Sequence, residues 1–313
     1  MRIVFLGSSE FALPSLKALI DGNYDLSLVV TQPDRKKGRG LALQATAVKK
    51  FGQERGFKLY QPLQINTPEA VRFLEGFDAD LFIVLSYGQI LSREVLEIPK
   101  VFAINAHASQ LPRYRGAAPV NWAIIKGEVS TGVTIMKLDE KMDTGPILMQ
   151  KELAILPDEN ALELEERLAV LASELLVKSI KSIENNNFNL KMQDDSLASL
   201  APKLKKEDGI IDWKKSANDI HNLIRGCRDW PSAFFCFKGK LLKIFKVSVV
   251  SLSESKSKPG EILDVSPEGI TIAAGEGGIV IKELQIEGKR KMTAKEFISG
   301  HRISIGEILE HKK

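Results

Sequence analysis

Three polar residues in the first half of the sequence have types and spacing that suit acyl-transfer chemistry. Asn105 and His107 lie two apart in the apolar segment VFAINAH, so on a strand both side chains point to the same face. An asparagine amide can donate to a developing oxyanion, and histidine can move a proton near neutral pH. Asp143 follows in the turn MDTG, where it can orient and stabilise a charged histidine. A lone strand histidine is more often a core residue, and the nearby asparagine is what favours a site.

The motifs that the sequence lacks narrow this chemistry. No G-x-S-x-G elbow or Walker loop occurs, and Gly7-Ser8-Ser9 after the first strand is not a G-x-G-x-x-G fingerprint. The two cysteines, Cys227 and Cys236, do not have metal-ligand spacing, and the four histidines are scattered, so no metal is expected. An asparagine–histidine–aspartate set without a nucleophile suits direct transfer of an acyl group to a substrate amine.

Alternating strand and helix patterns position these residues. Four apolar segments, RIVFLG, LSLVVT, DLFIVLSYG and VFAINAH, are separated by helical patterns, which predicts an α/β fold with an open, mostly parallel, Rossmann-like sheet. Ligands bind such sheets outside the carboxyl ends of the strands. We expect a catalytic domain over residues 1–184, a polar linker over 185–206, and a C-terminal domain over 207–313. Short strands broken by turns predict a small β-barrel resembling an oligonucleotide-binding (OB) fold for that last domain.

Positive charge is concentrated in the C-terminal part. Residues 201–313 contain 21 Lys and Arg against 15 Asp and Glu, whereas the first 200 residues contain 23 against 25. This asymmetry is typical of a catalytic domain joined to a domain that binds a polyanion, although a solvated lysine-rich surface would have the same composition. The predicted loop 32–40 adds a second basic group. The nucleic-acid-binding candidates are Arg35, Lys36, Lys37, Arg39, Lys203, Lys205, Lys206, Lys289, Arg290 and Lys291.

Composition also excludes broad classes of protein. The 313 residues are 44% hydrophobic and 27% charged, an ordinary balance for a globular protein. No segment approaches the roughly 18 apolar residues of a membrane span, and the first apolar run is too short for a signal peptide. We therefore expect a cytoplasmic monomer with no membrane partner.

The motifs together resemble the folate-dependent formyltransferases. Asn105-x-His107, the loop LPRYRGAAP at 111–119 and MDTGP at 142–146 carry the resemblance. It extends through IVFLGSSEFALPSL, VTQPDRKKGRG, VLSYGQIL, LAPKLKKEDGIIDW and RGCRDWPSAFF, and so covers nearly the whole chain. The two-domain span with the basic 31–40 segment is similar to the branch of the family whose acceptor is methionyl initiator tRNA. Gln110 stands where the family usually has leucine, and Ser8-Ser9 where it usually has Thr-Pro.

The resemblance implies a reaction and a set of residues. The formyl group of 10-formyltetrahydrofolate would pass to the α-amino group of the methionyl tRNA, for translation initiation. Asn105 and His107 would bind the oxyanion and polarise the substrate, with Asp143 orienting and charging His107. Arg39 would contact the acceptor stem. Folate would bind along two segments, namely Ser86, Tyr87, Gly88, Gln89 and Ile90, and Ser109, Gln110, Leu111 and Pro112.

The sequence is also compatible with three other functions. A formyltransferase acting on a small amine, such as a sugar amine, would share the three catalytic residues but would not need the basic domain. A formyltetrahydrofolate hydrolase would use water in place of the amine. A non-catalytic RNA-binding protein on the same scaffold would have no reason to keep Asn105, His107 and Asp143 intact.

Overall fold

A computed structural model describes residues 1–37, 42–252 and 257–309. Contacts within the chain define two compact units. The first unit comprises Met1–Pro119, Ser130–Ala154 and Glu165–Ala201, and the second comprises Val120–Val129, Ile155–Leu164 and Pro202–Lys313. Each unit is therefore assembled from segments that are separate in sequence, and the domain limits inferred from the sequence stay a prediction.

The first unit is built on a seven-stranded sheet. Its strands are β1 (Arg2–Gly7), β2 (Asp25–Val30), β5 (Leu59–Tyr60), β6 (Leu81–Leu85), β7 (Phe102–His107), β8 (Ser130–Lys137) and β9 (Ile147–Ala154). The order is β5-β2-β1-β6-β7-β8-β9. The five strands from β5 to β7 are parallel, which confirms the mostly parallel sheet, whereas β8 and β9 pair antiparallel. The segment 138–146 thus connects two antiparallel strands, and it carries Asp143.

Several helices begin where the sequence pattern predicts them. Thr67, for example, caps the helix that starts at Pro68, accepting from the Ala70 amide at 3.3 Å. The helices are α1 (Leu13–Asp21), α2 (Ala47–Glu54), α3 (Pro68–Glu75), α4 (Arg93–Leu96), α5 (Pro119–Ile125), α6 (Ala161–Glu184), α7 (Ala217–Gly226) and α8 (Ala294–Gly300). Short 3-10 helices lie at Glu10–Ala12, Asp195–Leu197 and Lys206–Gly209.

Buried apolar strands explain why β1, β6 and β7 are central. Residues 3–6 of β1 are wholly buried, all five residues of β6 are buried, and five of the six residues of β7 are buried. Parallel strands covered on both faces read as continuous apolar runs, which is the pattern that predicted them. Asn105 pairs with Val84 of β6, and His107 pairs with Thr134 of β8, so the polar end of β7 lies between two neighbouring strands.

The predicted basic loop 32–40 is only partly a loop. Residues Arg35–Lys37 form strand β3, which pairs antiparallel with β4 (Ala42–Gln44). The prediction of irregular structure was wrong for β3, because the segment has no apolar alternation and its partner strand β4 is exposed throughout. Asp34 anchors this ribbon through an ion pair with Lys49 at 2.7 Å, and hydrogen bonds from Lys49 and Gln61 lower the pKa of the Asp34 carboxyl.

The second unit contains a six-stranded antiparallel sheet, the arrangement of a small barrel-like domain. Its strands are β10 (Ala233–Phe237), β11 (Lys240–Val250), β12 (Ile262–Ser266), β13 (Gly269–Ala273), β14 (Gly278–Ile286) and β15 (Met292–Thr293). The order is β10-β11-β14-β13-β12, and β15 pairs with β14. Positive φ at Lys238 and Gly239 makes the two-residue hairpin between β10 and β11. Helix α7 covers a core that includes Trp213 and Phe235.

Residues 185–201, which the sequence places in a polar linker, are held to the rest of the first unit. Lys191 exchanges two backbone hydrogen bonds with Ile147, at 2.7 and 2.9 Å. The Arg115 amide donates to Ser199 O, and the Ala201 amide donates to Arg115 O. The segment has no regular periodicity because these contacts are single bridges and a short 3-10 helix.

Candidate functional site

The structure brings His107 and Asp143 together. The His107 side chain is 7% exposed and that of Asp143 is 12% exposed, and His107 Nδ1 lies 3.6 Å from Asp143 Oδ2. This distance is within ion-pair range but beyond a normal hydrogen bond. The two residues are 36 positions apart in the sequence and come from different elements, β7 and the β8–β9 connection. The pairing predicted from the sequence is therefore present as a near contact.

Both ring nitrogens of His107 face acceptors of the protein. Nε2 lies 2.9 Å from the Tyr114 carbonyl oxygen, and because a carbonyl only accepts, Nε2 is the donor in that contact. Nδ1 faces the Asp143 carboxylate, which also only accepts when it is ionised. Each ring nitrogen of His107 therefore faces a protein acceptor, and the two contacts fix the orientation of the imidazole.

Asp143 is held in an unusual backbone conformation. Its φ is +57°, in the left-handed region, which Asp adopts more readily than most residues. The same oxygen that faces His107, Oδ2, accepts from the Gly116 amide at 2.8 Å. Gly116 has φ of +129°, and a Cβ there would lie 2.5 Å from Ala201 O, so this position requires glycine. The turn and the 114–116 loop thus fix the carboxylate from two directions.

Asn105 lies on the same face of β7 as His107 and is half-buried. Within residues 1–37, 42–252 and 257–309, no hydrogen bond engages the Asn105 side-chain amide. An amide donor at a strand end with no protein partner is free to bind a substrate oxygen. The structure therefore places all three predicted catalytic residues at the carboxyl end of β7 or against it.

The predicted folate segment at 109–112 is a tightly bonded loop. Thr134 Oγ1 accepts from the Leu111 amide at 3.1 Å and donates to Ser109 O at 2.7 Å. Gln150 Nε2 donates to Leu111 O and to Thr134 Oγ1, and Gln110 Nε2 donates to Thr131 O. Ser109 and Leu111 are buried, whereas Gln110 and Pro112 are half-buried. A ligand at this loop would meet mainly backbone groups and Pro112.

The predicted folate segment at 86–90 offers backbone more than side chains. The Tyr87 ring is 2% exposed and lies in the apolar core, where burial raises the pKa of its hydroxyl. The Gln89 side chain is already engaged by the protein, since its Oε1 accepts from the Ile65 amide and its Nε2 donates to Leu63 O. Ser86, Gly88 and Ile90 are exposed, and positive φ at Ser86 and Gly88 turns the chain there. These three positions are the accessible part of the segment.

The predicted nucleic-acid residues are on the surface wherever the structure describes their side chains. Arg35 is exposed and donates to Gln32 Oε1, Lys36 and Lys37 belong to β3, and Arg39 lies outside the described residues. Lys203, Lys205, Lys206 and Lys289 are exposed. Arg290 forms an ion pair with Glu296, and Lys291 forms one with Glu283, so part of that second cluster is neutralised.

The second unit also contains a basic cavity of about 560 Å³. The cations that line it are Arg225, Arg228, Lys246, Lys282 and Lys291, and the carboxylates are Asp158, Glu163 and Glu283. His221 also lines it, and burial, followed by the nearby Arg225, lowers the pKa of His221, so the ring is uncharged at neutral pH. The cavity therefore has an excess of positive charge that comes from arginine and lysine alone.

The cations of this cavity do not all have the same role. Arg225 is buried and donates to Leu156 O, Glu159 O and Asn222 Oδ1, so it holds the structure together. In the described part of the chain, Lys246 and Lys282 form no ion pair. The sequence pattern did not single out either lysine, because each lies within an apolar strand segment and outside the basic clusters at 203–206 and 289–291.

Other residues of the site also escaped sequence reasoning. Thr134, Gln150 and Gln193 are uncharged and isolated, and no motif or periodicity marks them. Only their hydrogen-bond partners reveal their roles. Among the residues that the structure describes, no group of three or more His, Cys, Asp or Glu is placed to hold a metal, and no helix has the length and apolarity of a membrane span.

Comparison with known proteins identifies similar sequences and folds. Residues 1–180 match the family described as formyl transferase, and residues 203–302 match its C-terminal domain. The chain is 44% identical over 312 residues to a methionyl-tRNA formyltransferase of Geotalea uraniireducens, covering 100% of this chain and 99% of that protein. It is also 44% identical over 309 residues to one of Acetivibrio thermocellus, with 99% of each chain covered.

Two solved structures share the fold at lower identity. The N-formyltransferase from Helicobacter canadensis, solved with folinic acid and dTDP-3-aminofucose, has a TM-score of 0.68 at 21% identity and covers 90% of this chain and 98% of its own. HypX from Aquifex aeolicus, in complex with tetrahydrofolic acid, has a TM-score of 0.62 at 19% identity and covers 95% of this chain and 47% of its own.

Replacing Thr134 by valine tests the bonding of the 109–112 loop. Thr134→Val keeps the shape but leaves the buried Leu111 amide without its acceptor, so we expect a loss of about 1–3 kcal/mol in the free energy of unfolding. Thr131→Val on the same strand is the matched control, because Thr131 Oγ1 is buried without a partner among the described residues. Urea unfolding should show a neutral or stabilising effect at 131, and equal losses at both positions would contradict the bonding scheme.

Proposed function

This chain belongs to the formyl transferase family, and we propose that it transfers a formyl group from 10-formyltetrahydrofolate to the α-amino group of methionyl initiator tRNA. The observation that carries the proposal is 44% identity to methionyl-tRNA formyltransferases over the full length of both chains. The arrangement of Asn105, His107 and Asp143 at the end of β7 supports it independently, since these groups suit acyl transfer to an amine.

Asn105 is the group that we assign to the developing oxyanion. The substrate amine attacks the formyl carbon, and the formyl oxygen gains negative charge as the new C–N bond forms. The tetrahedral centre then collapses by breaking the bond to the folate nitrogen, which takes up a proton while the amine loses one. A fixed amide donor stabilises this charge, and removing one such donor typically costs about 3 kcal/mol in activation free energy.

His107 and Asp143 have an electrostatic role in this scheme. An α-amino group has a pKa of about 8, and the neighbouring ester lowers it, so much of the attacking amine is already neutral at pH 7. A strong base is therefore not needed. The contact of His107 Nε2 with Tyr114 O also occupies the nitrogen that a base would use. We assign His107 to charge stabilisation beside the reacting centre, with Asp143 supporting that charge.

The folate donor is assigned to the ends of β6 and β7. These strands are neighbours in the sheet, so we expect the 86–90 and 109–112 segments that follow them to face one crevice. The exposed positions Ser86, Gly88 and Ile90 and the half-buried Pro112 would line it. Backbone groups in both segments can read the donor and acceptor edge of a pterin. Gln110 donates to Thr131 O, which supports a role in shaping the loop.

The tRNA is assigned to basic residues in both units. The β3–β4 ribbon with Arg35, Lys36 and Lys37, together with Arg39, would contact the acceptor end. In the second unit, Lys203, Lys205, Lys206 and Lys289 would meet phosphates, and Lys246 and Lys282 add two cations beside the cavity. Arg290 and Lys291 are weaker candidates because each already has an acidic partner.

The identity of the molecule that accepts the formyl group tests the proposal directly. The protein is incubated with 10-formyltetrahydrofolate and either methionyl initiator tRNA, a nucleotide-linked sugar amine or buffer alone. We expect formyl-methionine on the tRNA, identified by mass after deacylation, with no formylated sugar and little free formate. Formylation of the sugar alone would assign the protein to the small-amine enzymes, and formate release alone would assign it to the hydrolases.

Alanine substitutions test the catalytic assignment. For Asn105→Ala and His107→Ala we expect turnover to fall by roughly 100-fold or more, because each removes stabilisation that acts mainly in the transition state. Binding of the charged tRNA, measured by filter retention, should change little. Near-full turnover of His107→Ala would contradict the role assigned to it.

The salt dependence of tRNA affinity tests whether Lys246 and Lys282 of the cavity bind tRNA. For the double variant Lys246→Ala/Lys282→Ala we expect weaker tRNA binding and a shallower slope of log affinity against log salt, by about 0.7–0.9 for each phosphate that is no longer neutralised. Formyl transfer at saturating tRNA should stay near that of the unaltered protein. Lys258→Ala is the control, since this exposed lysine of the same unit does not line the cavity. An unchanged slope in the double variant would remove these lysines from the tRNA surface.

A further inference from the structure

We propose that Gln193 is a positioning residue for formyl transfer, acting through the Asp143 turn without touching either substrate. The inference rests on the proposed function, because it concerns the carboxylate that supports His107. Gln193 lies outside the motifs that mark the site, in the segment that the sequence assigns to a linker. Its side chain connects this segment to the two pieces of chain on either side of the His107 ring.

All the hydrogen-bonding capacity of the Gln193 amide is used. Nε2 donates to Asp143 O at 2.9 Å and to Gly145 O at 2.7 Å. Oε1 accepts from Arg115 Nε at 3.1 Å and from Arg115 Nη2 at 2.8 Å. A guanidinium only donates, so the atom facing it must be the oxygen, and the atom facing the two carbonyls must be the nitrogen. The partners therefore fix the orientation of the amide.

The Asp143 turn needs such a donor. Asp143 has φ of +57°, and the chain passes so close to Lys137 O at Gly145 that any Cβ there would collide with it. Two carbonyls, those of Asp143 and Gly145, point to the same side of this turn and converge on one NH2 group. A strained turn persists only where its surroundings determine it, and Gln193 supplies two of those constraints.

Arg115 completes the connection to the opposite side of His107. It is 8% exposed, follows Tyr114 and precedes Gly116. Tyr114 supplies the carbonyl that faces Nε2, and the Gly116 amide bonds the Asp143 carboxylate. The Arg115–Gln193 contact thereby sets the spacing between the two acceptors that hold the imidazole. Beyond Gln193, Arg115 also pairs with Asp195, whose side chain is 83% exposed.

Removal of the Gln193 hydrogen bonds should move the carboxylate and leave substrate binding intact. Gln193 hydrogen-bonds neither the 86–90 segment nor the 109–112 loop, where we place folate, and none of the lysines that we assign to tRNA. A misplacement of about 1 Å in a catalytic constellation can lower the rate by about 100-fold. The expected signature is thus a lower kcat at nearly constant KM.

Three variants of the full-length protein separate positioning from stability. Gln193→Met keeps the length of the side chain and removes all four bonds. Gln193→Glu keeps the partner of Arg115 but presents acceptors to the Asp143 and Gly145 carbonyls. Asp195→Asn is the control, because it alters the exposed outer end of the same network. Thermal unfolding of each variant is measured beside its kinetics.

We expect both Gln193 variants to lower kcat by about 10–100-fold, with KM for each substrate within about twofold. Asp195→Asn should remain within about threefold in both constants. The Glu variant should stay folded at the assay temperature, since it keeps the pairing with Arg115, and still be slow, since its oxygens face the Asp143 and Gly145 carbonyls. A folded Glu variant that turns over at the unaltered rate would overturn the proposal, even if the Met variant fails to fold.

A double-mutant cycle with Asp143→Asn tests whether Gln193 acts through Asp143. If it does, adding Gln193→Glu to Asp143→Asn should lower kcat by no more than about threefold further. Effects that multiply in the double variant would show independent roles and overturn the proposal. Failure of the unaltered protein to formylate methionyl tRNA would instead refute the proposed function, so the two failures are distinguishable.

Discussion

A single carboxylate oxygen, Oδ2 of Asp143, faces the His107 ring at 3.6 Å and accepts the Gly116 amide at 2.8 Å. An oxygen that serves both partners has little freedom, because a small rotation of the side chain improves one contact and lengthens the other. The backbone beneath it adopts a left-handed conformation at Asp143 to reach this position. The glycines at 116 and 145, the loop after β7 and the chain from 191 to 201 are arranged so that this oxygen stays in place.

The fold meets this requirement with few regular elements. Strand β7 ends with Asn105 and His107 at the carboxyl edge of the parallel strands, where open α/β sheets bind their ligands. The turn that carries Asp143 comes from the antiparallel β8 and β9, and single side chains such as Thr134, Gln150 and Gln193 tie the irregular segments together. Most polar groups around the site therefore hold backbone in place, which leaves Asn105 as the predicted catalytic residue whose side chain lacks a protein partner among the described residues.

Much of this arrangement follows from the sequence, and the parts that do not have identifiable causes. Local sequence patterns predict the buried strands and the Thr67 cap. The polar residues at the strand ends, beside a loop rich in Pro, Gly and Arg, indicate the site. The antiparallel pairing of β8 with β7 does not follow from the sequence, because the alternation within a strand is the same in either direction. The three residues of β4 are exposed, so this strand shows no apolar alternation, and Gln193 has no neighbour that marks it. Such features depend on contacts between distant segments, which no local pattern records.

If formyl transfer depends on the position of the Asp143 carboxylate, the substitution Asp143→Glu should slow it. This change keeps the negative charge and moves it by one methylene group. The measurement is the rate of a single turnover at saturating concentrations of both substrates, with formyl-methionine quantified over time. We predict a fall of about 100-fold in that rate, as expected for a misplaced catalytic group, with the protein folded and both substrates bound. A rate within a few-fold of the unaltered protein would show that charge alone suffices and would contradict the account.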